Sequence, residues 1–255
     1  MSFGRLSFDV TSACNLNCKH CLRMDRHNPT HLPVELFEKI IEQSRRYGTH
    51  TIIFTGGEPM LHPHIMDMAD IVAKNDLKYY IVTNGMKTKK LAELVKDDKR
   101  KKHMTGVSIS IEGATEETND KIRGEGVYRK IMATTALLRS KGVDVAWKMS
   151  VNKLNVHEVE QLALEALKVG ANCVEYSHMH PTPELIKHDM ILPRDKWREV
   201  DSQVARLTRM LKIYVVMCAG AYSPLTFYQC SATQMGDAHV DCLGNLAVCC
   251  ILPYY

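Results

Sequence analysis

Cys14, Cys18 and Cys21 stand at C-x3-C-x2-C spacing, so whatever this chain folds into must bring three thiols together on one short loop. A tetrahedral zinc site or a cubane iron–sulfur cluster takes four protein ligands. No fourth cysteine or zinc-spaced histidine pair follows before Cys173. The set is one ligand short, and an iron without a protein ligand is open to a substrate or cofactor. His20 and the distant His31 would complete a zinc site. An x3 step beside an x2 step is not the paired C-x2-C layout of structural zinc, however, and the spacing favours the cluster.

Around these cysteines, apolar runs of four to seven residues alternate about six times with stretches of helical periodicity. Strands are predicted over 6–10, 51–54, 79–82, 106–111, 143–151 and 174–178. Helices are predicted over 33–47, 65–74, 88–95, 127–140, 157–169 and 194–211. The first helix carries Val34, Phe37, Ile40 and Ile41 as a stripe that fits against a sheet, with Pro33 in its first turn. Such alternation implies an α/β fold with parallel pairing and right-handed crossovers. Periodicity alone does not separate an open partial barrel from a doubly wound sheet. In both, ligands bind beyond the carboxyl ends of the strands, and the cysteine loop and the glycine-bearing segments fall there.

Four segments in order carry a resemblance to a known family. After the cysteine triplet come Thr55-Gly56-Gly57-Glu58-Pro59, Thr83-Asn84-Gly85 and Ser108-Ile109-Ser110-Ile111-Glu112-Gly113. They resemble the cysteine signature, GGEP, TNG and SxDG elements of the radical S-adenosylmethionine (SAM) enzymes. The resemblance covers about residues 6–213 and implies a partial (β/α)6 barrel. It also implies that Cys14, Cys18 and Cys21 hold a [4Fe-4S] cluster whose free iron is chelated by SAM. Reductive cleavage would then yield a 5′-deoxyadenosyl radical that abstracts hydrogen from substrate, with a flavodoxin- or ferredoxin-type protein as electron donor.

The same resemblance assigns cofactor contacts. Gly56 and Gly57 permit close backbone approach, Glu58 can accept from an ammonium group, and Pro59 fixes the turn. Asn84 follows a strand and is placed to face the ligand. Ser110 and Glu112 alternate on one strand and share a face, although Glu112 stands where the family usually has Asp, one methylene shorter. Arg123 could meet the SAM carboxylate or be an ordinary helix-end charge. Ser150 and Asn152 share one parity with Lys148. Tyr176, His178 and His180 form another alternating set, of which His178 is the candidate cofactor contact and a core histidine the alternative.

Composition bounds the rest. With 255 residues, 45% hydrophobic, the chain supports one sizeable core and a small appended module. The net charge of +4 comes in large part from the run Lys99-Arg100-Lys101-Lys102-His103. That run lacks interleaved aromatics and reads as a solvated loop, not a nucleic-acid surface. No signal peptide and no run of about 18 apolar residues is present, which predicts a cytoplasmic protein with no membrane partner. Nine cysteines without an export signal point to metal or catalysis over disulfides.

After residue 213 the alternation stops and Cys218, Cys230, Cys242, Cys249 and Cys250 crowd together. From Cys230 through Gly244 to Cys249 the spacing is C-x13-G-x4-C, which resembles the opening of the SPASM and twitch modules. Gly244-Asn245 suits a hairpin turn. The expected organisation is a 1–213 core and a 214–255 auxiliary-cluster region, a short Cys-rich β-hairpin extension that is incomplete at Tyr255. Cys218, Cys230, Cys249 and either Cys242 or Cys250 would hold one auxiliary [4Fe-4S] cluster. Cys249 and Cys250 diverge in an extended strand, so one is spare, either as a hydrogen-atom donor to a substrate radical or as a buried apolar side chain.

The expected activity is a radical SAM oxidation or maturation aided by that cluster, on a peptide or a small polar metabolite. With the cysteine motif starting at residue 14, no room is left for an N-terminal peptide-recognition domain. Epimerisation with a cysteine thiol as hydrogen donor is the alternative. A non-catalytic iron–sulfur or zinc scaffold is the rival from another class, and a glycyl-radical activating enzyme would carry no hairpin cysteines at this spacing. Substrate identity and oligomeric state have no sequence signal.

Overall fold

A computed structural model describes residues 3–21, 28–179, 181–218 and 236–247. Its strands are β1 (Arg5–Thr11), β2 (Thr51–Gly56), β3 (Lys78–Thr83), β4 (Met104–Ser110), β5 (Val145–Val151), β6 (Cys173–His178), β7 (Tyr214–Cys218), β8 (Asp237–Val240) and β9 (Leu246–Ala247). Helices α1 (Val34–Ser44), α2 (Ile65–Lys74), α3 (Thr88–Leu94), α4 (Asp98–His103) and α5 (Glu116–Arg123) come first. Then follow α6 (Val127–Ser140), α7 (Val159–Val169), α8 (Pro183–Lys187) and α9 (Arg194–Met210).

All strands join one sheet in the order β7-β6-β5-β4-β3-β2-β1-β8-β9. Every pairing is parallel except β8 with β9. From β1 to β7 the order never reverses. A right-handed crossover repeated in one direction places every helix on the same face, which is the winding of a barrel and not of a doubly wound sheet. Among the described residues the sheet stays unclosed, with β7 and β9 at its edges.

Alternation within each strand separates the two faces. Phe8 on β1 packs 4.9 Å from Phe37 of α1, Phe37 lies 5.8 Å from Phe54 on β2, and Phe54 lies 5.6 Å from Tyr79 on β3, ring centre to ring centre. All four are fully buried between sheet and helices. Residues of the opposite parity face the inner side: Ser7, Asp9, Thr55, Ser108, Ser110, Lys148, Ser150, Glu175 and Ser177. The apolar layer under the helices holds the fold, and the polar inner face is left for chemistry.

Three short helices, α4, α5 and α8, lie where no helix is predicted, α4 over the run read as a solvated loop. They are capped locally by Asp97, Thr115 and Thr182, whose side chains accept from the N–H of Arg100, Thr118 and Leu185. The expected boundary at 213/214 falls at the start of β7. That strand pairs in register with β6 from Cys173↔Tyr214 to Ser177↔Cys218, and β8 pairs with β1 from Arg5↔Asp237 to Phe8↔Val240. Both described pieces of 214–255 are therefore strands of the main sheet. Among the described residues, no helix is long and apolar enough to cross a membrane.

Candidate active site

The cysteine loop leaves β1 at Thr11 and is clamped from four sides. Gly57 N–H donates to Thr11 O at 2.6 Å and Glu58 N–H to Ala13 O at 2.7 Å. Gly56 has φ +131°, and a Cβ on Gly57 would stand 2.1 Å from Ala13 O. The glycines expected to admit a ligand thus admit the backbone of the cysteine loop itself. On the return, Ser12 N–H donates to Thr30 O and Leu32 N–H to Val10 O, each at 2.9 Å. Lys19 N–H donates to Ile122 O at 3.1 Å, tying the loop to α5. Asn84 Nδ2 donates to Asn15 Oδ1 at 3.0 Å.

Glu58 is fully buried, and its carboxylate is turned inward. It accepts from Thr83 Oγ1 at 2.7 Å, Asn84 N–H at 2.7 Å and Met60 N–H at 3.1 Å. Burial raises its pKa, while the Asn84, Thr83 and Met60 donors pull it back down. The group expected to receive an ammonium receives the Thr83-Asn84 turn instead, and Pro59 opens the short 3-10 turn Pro59–Leu61 beside it.

A second hub is Glu112, just past β4. Its carboxylate is 1% exposed, 3.3 Å from His20 Nε2 and 3.6 Å from Arg123 Nη1. It accepts from Ser150 N–H at 3.0 Å. Its backbone is held by Asn119 Oδ1, which accepts Glu112 N–H at 2.9 Å, and by Asn155 Nδ2, which donates to Glu112 O at 3.1 Å. Burial pushes the carboxyl up to about 8, with Arg123, Ser150 and Lys148 opposing. Burial, with Arg123 adding to it, holds His20 down to about 3. His20 is therefore neutral, with Nε2 facing Glu112. Its Nδ1 is buried without a partner, and so is the Nε donor of Arg123.

Two expected contacts lie elsewhere. Asn152 is fully buried, with Nδ2 donating to Ser150 O and Oδ1 accepting Leu154 N–H, each at 2.9 Å, so its amide closes the turn after β5. His178 has the parity of the helix-facing residues. Its ring lies 3.9 Å from Trp197 of α9 and its Nε2 3.4 Å from Asp201 Oδ1. The inner residue of that pair of positions is Ser177, whose Oγ lies 3.5 Å from Ser150 Oγ. His180 lies outside the described residues. Ser110 faces the inner side, paired with Lys148.

Sequence reasoning missed Asn119, Asn155 and Glu158. Glu158 accepts from Ala114 N–H at 2.6 Å, Thr118 Oγ1 at 2.6 Å and Thr115 Oγ1 at 2.8 Å, and so fixes the start of α5 and hence Arg123. The Thr115 cap followed by Glu116 and Glu117 was a readable helix start. Nothing local to Glu158 announces a partner more than 40 residues away.

Cys14, Cys18 and Cys21 are partly buried. The Cys18 thiol is pushed up by burial first; Arg123 draws it down, and Cys21, Glu112 and Cys14 push it further up. Among the described residues no three His, Cys, Asp or Glu side chains converge on one metal ion. Cys14, Cys18 and Cys21 are three thiols on one short loop, one fewer than a closed zinc site takes. The unpartnered Arg123 Nε and His20 Nδ1 beside them suit a ligand with both a carboxylate and further polar groups, as SAM has. Of the C-terminal set, Cys218 ends β7 and Cys242 lies in the turn between β8 and β9. Cys230, Cys249 and Cys250 lie outside the described residues.

A family model described as the radical SAM superfamily matches residues 8–166. The chain belongs to the radical SAM superfamily. Radical SAM enzymes use a [4Fe-4S] cluster and SAM, and the cysteine loop with its Arg123–Glu112–His20 wall fits both. The antilisterial bacteriocin subtilosin biosynthesis protein AlbA of Bacillus subtilis is 30% identical over 195 residues, 71% of this chain and 43% of AlbA. The mycofactocin maturase MftC of Mycobacterium ulcerans is 29% identical over 170 residues, 65% of this chain and 45% of MftC. The chain spans about half the length of these curated relatives. Streptococcus suis SuiB bound to precursor peptide SuiA superposes with TM-score 0.81 at 16% identity, over 99% of this chain and 61% of SuiB, a likeness of fold.

Proposed function

We propose that this chain carries the catalytic core of a radical SAM enzyme that modifies a peptide, by a two-electron oxidation aided by an auxiliary [4Fe-4S] cluster. The observation that carries the reading is the pair of unpartnered buried atoms, Arg123 Nε and His20 Nδ1, beside three thiols on a clamped loop. A peptide substrate is favoured over a small metabolite by the bacteriocin-biosynthesis and maturase roles of AlbA and MftC and by the likeness to SuiB bound to its precursor peptide.

When bound, the cluster and SAM supply the radical that abstracts hydrogen. The chain's own residues bind and orient. Cys14, Cys18 and Cys21 hold the cluster. Arg123, anchored by Glu112 at 3.6 Å, presents Nε to the SAM carboxylate, and neutral His20 offers Nδ1 to a polar group of the nucleoside. Ser110, Ser150 and Ser177 line the inner face where ribose hydroxyls or substrate would lie. Glu58, Asn152 and Glu112 act by holding neighbours. Cys218 and Cys242, with Cys230 and Cys249, are the proposed auxiliary ligands, and Cys250 is the spare thiol. A flavodoxin- or ferredoxin-type protein supplies the electron.

The test is anaerobic reconstitution, iron and sulfide analysis, and incubation with dithionite and SAM. Formation of 5′-deoxyadenosine, abolished in Cys14→Ala, supports the reading. An intact cluster that never cleaves SAM defeats it in favour of a scaffold. Turnover in deuterated water separates oxidation from epimerisation, since deuterium at an inverted carbon marks the latter.

A further inference from the structure

Asn84 sits in the turn after β3 with its side chain against the cysteine loop, 6% exposed. Its Oδ1 accepts Met86 N–H at 2.9 Å. That bond fixes the carboxamide's orientation, because the oxygen is committed to a backbone donor and the two amide hydrogens must point the other way. One goes to Asn15 Oδ1 at 3.0 Å, and the other faces Cys14 Sγ at 3.9 Å. The backbone beneath is equally fixed. Asn84 N–H donates to Glu58 Oε2 at 2.7 Å, Thr83 Oγ1 donates to Glu58 Oε1 at 2.7 Å, and Gly85 N–H donates to Thr83 Oγ1 at 3.1 Å. An amide anchored through its oxygen and one hydrogen, on a backbone fixed by three further bonds, keeps its other hydrogen toward the sulfur.

We propose that Asn84 is a positioning residue of the cluster, donating a hydrogen bond to Cys14 Sγ and thereby raising the cluster's reduction potential, with Glu58 as the group that holds it there. This rests on the reading of Cys14, Cys18 and Cys21 as cluster ligands. Reduction adds negative charge that is shared onto the sulfurs, so an N–H donor favours the reduced form and its removal makes the cluster harder to reduce. The conserved volume of Asn84→Asp keeps the acceptor for Met86 but puts an anionic oxygen where the donor was. Its effect is larger than that of Asn84→Ala, which only deletes the donor.

The test uses the full chain, reconstituted anaerobically, with iron and sulfide counted before any titration. Reductive titrations are followed by electron paramagnetic resonance on the signal that added SAM perturbs. The expected order of midpoint potentials is wild type highest, Asn84→Ala lower, Asn84→Asp lowest, with unchanged iron content. Glu58→Gln, which sets an amide against Asn84 N–H, shifts the midpoint in the same direction. Equal midpoints, a reversed order, or loss of the cluster from the isosteric Asn84→Asp would overturn the proposal. Wild-type chain that binds no cluster defeats the underlying reading, and the iron count alone distinguishes that result from the others.

Discussion

His239 on β8 holds its Nε2 3.3 Å from Asp9 Oδ2 on β1, with both side chains 2% exposed. Ser7 Oγ lies 2.8 Å from His239 Nδ1 and donates to Ala238 O at 3.2 Å. The ring thus sits between the Asp9 carboxylate on one nitrogen and the Ser7 hydroxyl on the other. The β8–β9 hairpin, which carries Cys242, is thereby latched to the strand that leads into the first cysteine loop.

Removing either partner takes away a buried polar contact. His239→Ala and Asp9→Ala are each expected to cost about 1–3 kcal/mol. The double variant should cost clearly less than their sum, because the shared contact is then lost only once. Urea unfolding of the four proteins measures the coupling, and strict additivity would show that the two residues do not interact.

His62 gives a pH signature. It is 1% exposed, its Nε2 donates to Leu32 O at 3.0 Å and its Nδ1 accepts His64 N–H at 3.1 Å. Burial holds it down to about 4. Between that value and the ordinary 6.5, the unfolded chain binds a proton that the folded chain refuses. The stabilisation is full above pH 6.5 and is lost as pH falls toward 4. Thermal unfolding of wild type and His62→Gln should show a gap in Tm that narrows across that window on acidification; a gap that widens would contradict the assignment.

Much of the barrel was legible because parallel, buried strands and amphipathic helices write long periodic runs, as at Phe8, Phe37 and Phe54. The site was legible where residues are near in sequence, as in the cysteine triplet and Gly56-Gly57. At His178 the strand parity was readable but the face was not: the ring packs on Trp197, as the core-histidine alternative has it, and Ser177 looks inward. The site was not legible at Asn119, Asn155 and Glu158, whose partners come from distant elements. Glu58 shows a subtler limit. Its position was readable, yet whether its oxygens face a ligand or Thr83 depends on tertiary contacts that no local pattern encodes.

Two glycine replacements should part company. In Gly57→Ala the new Cβ meets backbone at Ala13 O, 2.1 Å away, so the cysteine loop must move. Gly170 has φ +86° with open space around its missing Cβ, and its replacement costs only about 1–2 kcal/mol of left-handed strain. Iron content after reconstitution should collapse in Gly57→Ala and stay at the wild-type level in Gly170→Ala. Normal iron in Gly57→Ala would show that the loop does not depend on this approach.

Arg123 is 5% exposed and is held by Glu112 on one side, with Nε unpartnered on the other. A planar fork can serve a buried carboxylate and a ligand carboxylate at once; an ammonium group can meet only one of them well. Arg123→Lys is expected to keep the fold and the cluster, because the charge opposite Glu112 remains, while SAM binding weakens by roughly tenfold, about 1.4 kcal/mol. Arg123→Met leaves Glu112 without its guanidinium and should weaken both SAM binding and stability. Equilibrium dialysis of SAM against the reconstituted variants, alongside urea unfolding, reads the two effects separately. Unchanged SAM affinity in Arg123→Lys would remove Arg123 from the carboxylate site and leave it as a partner of Glu112 alone.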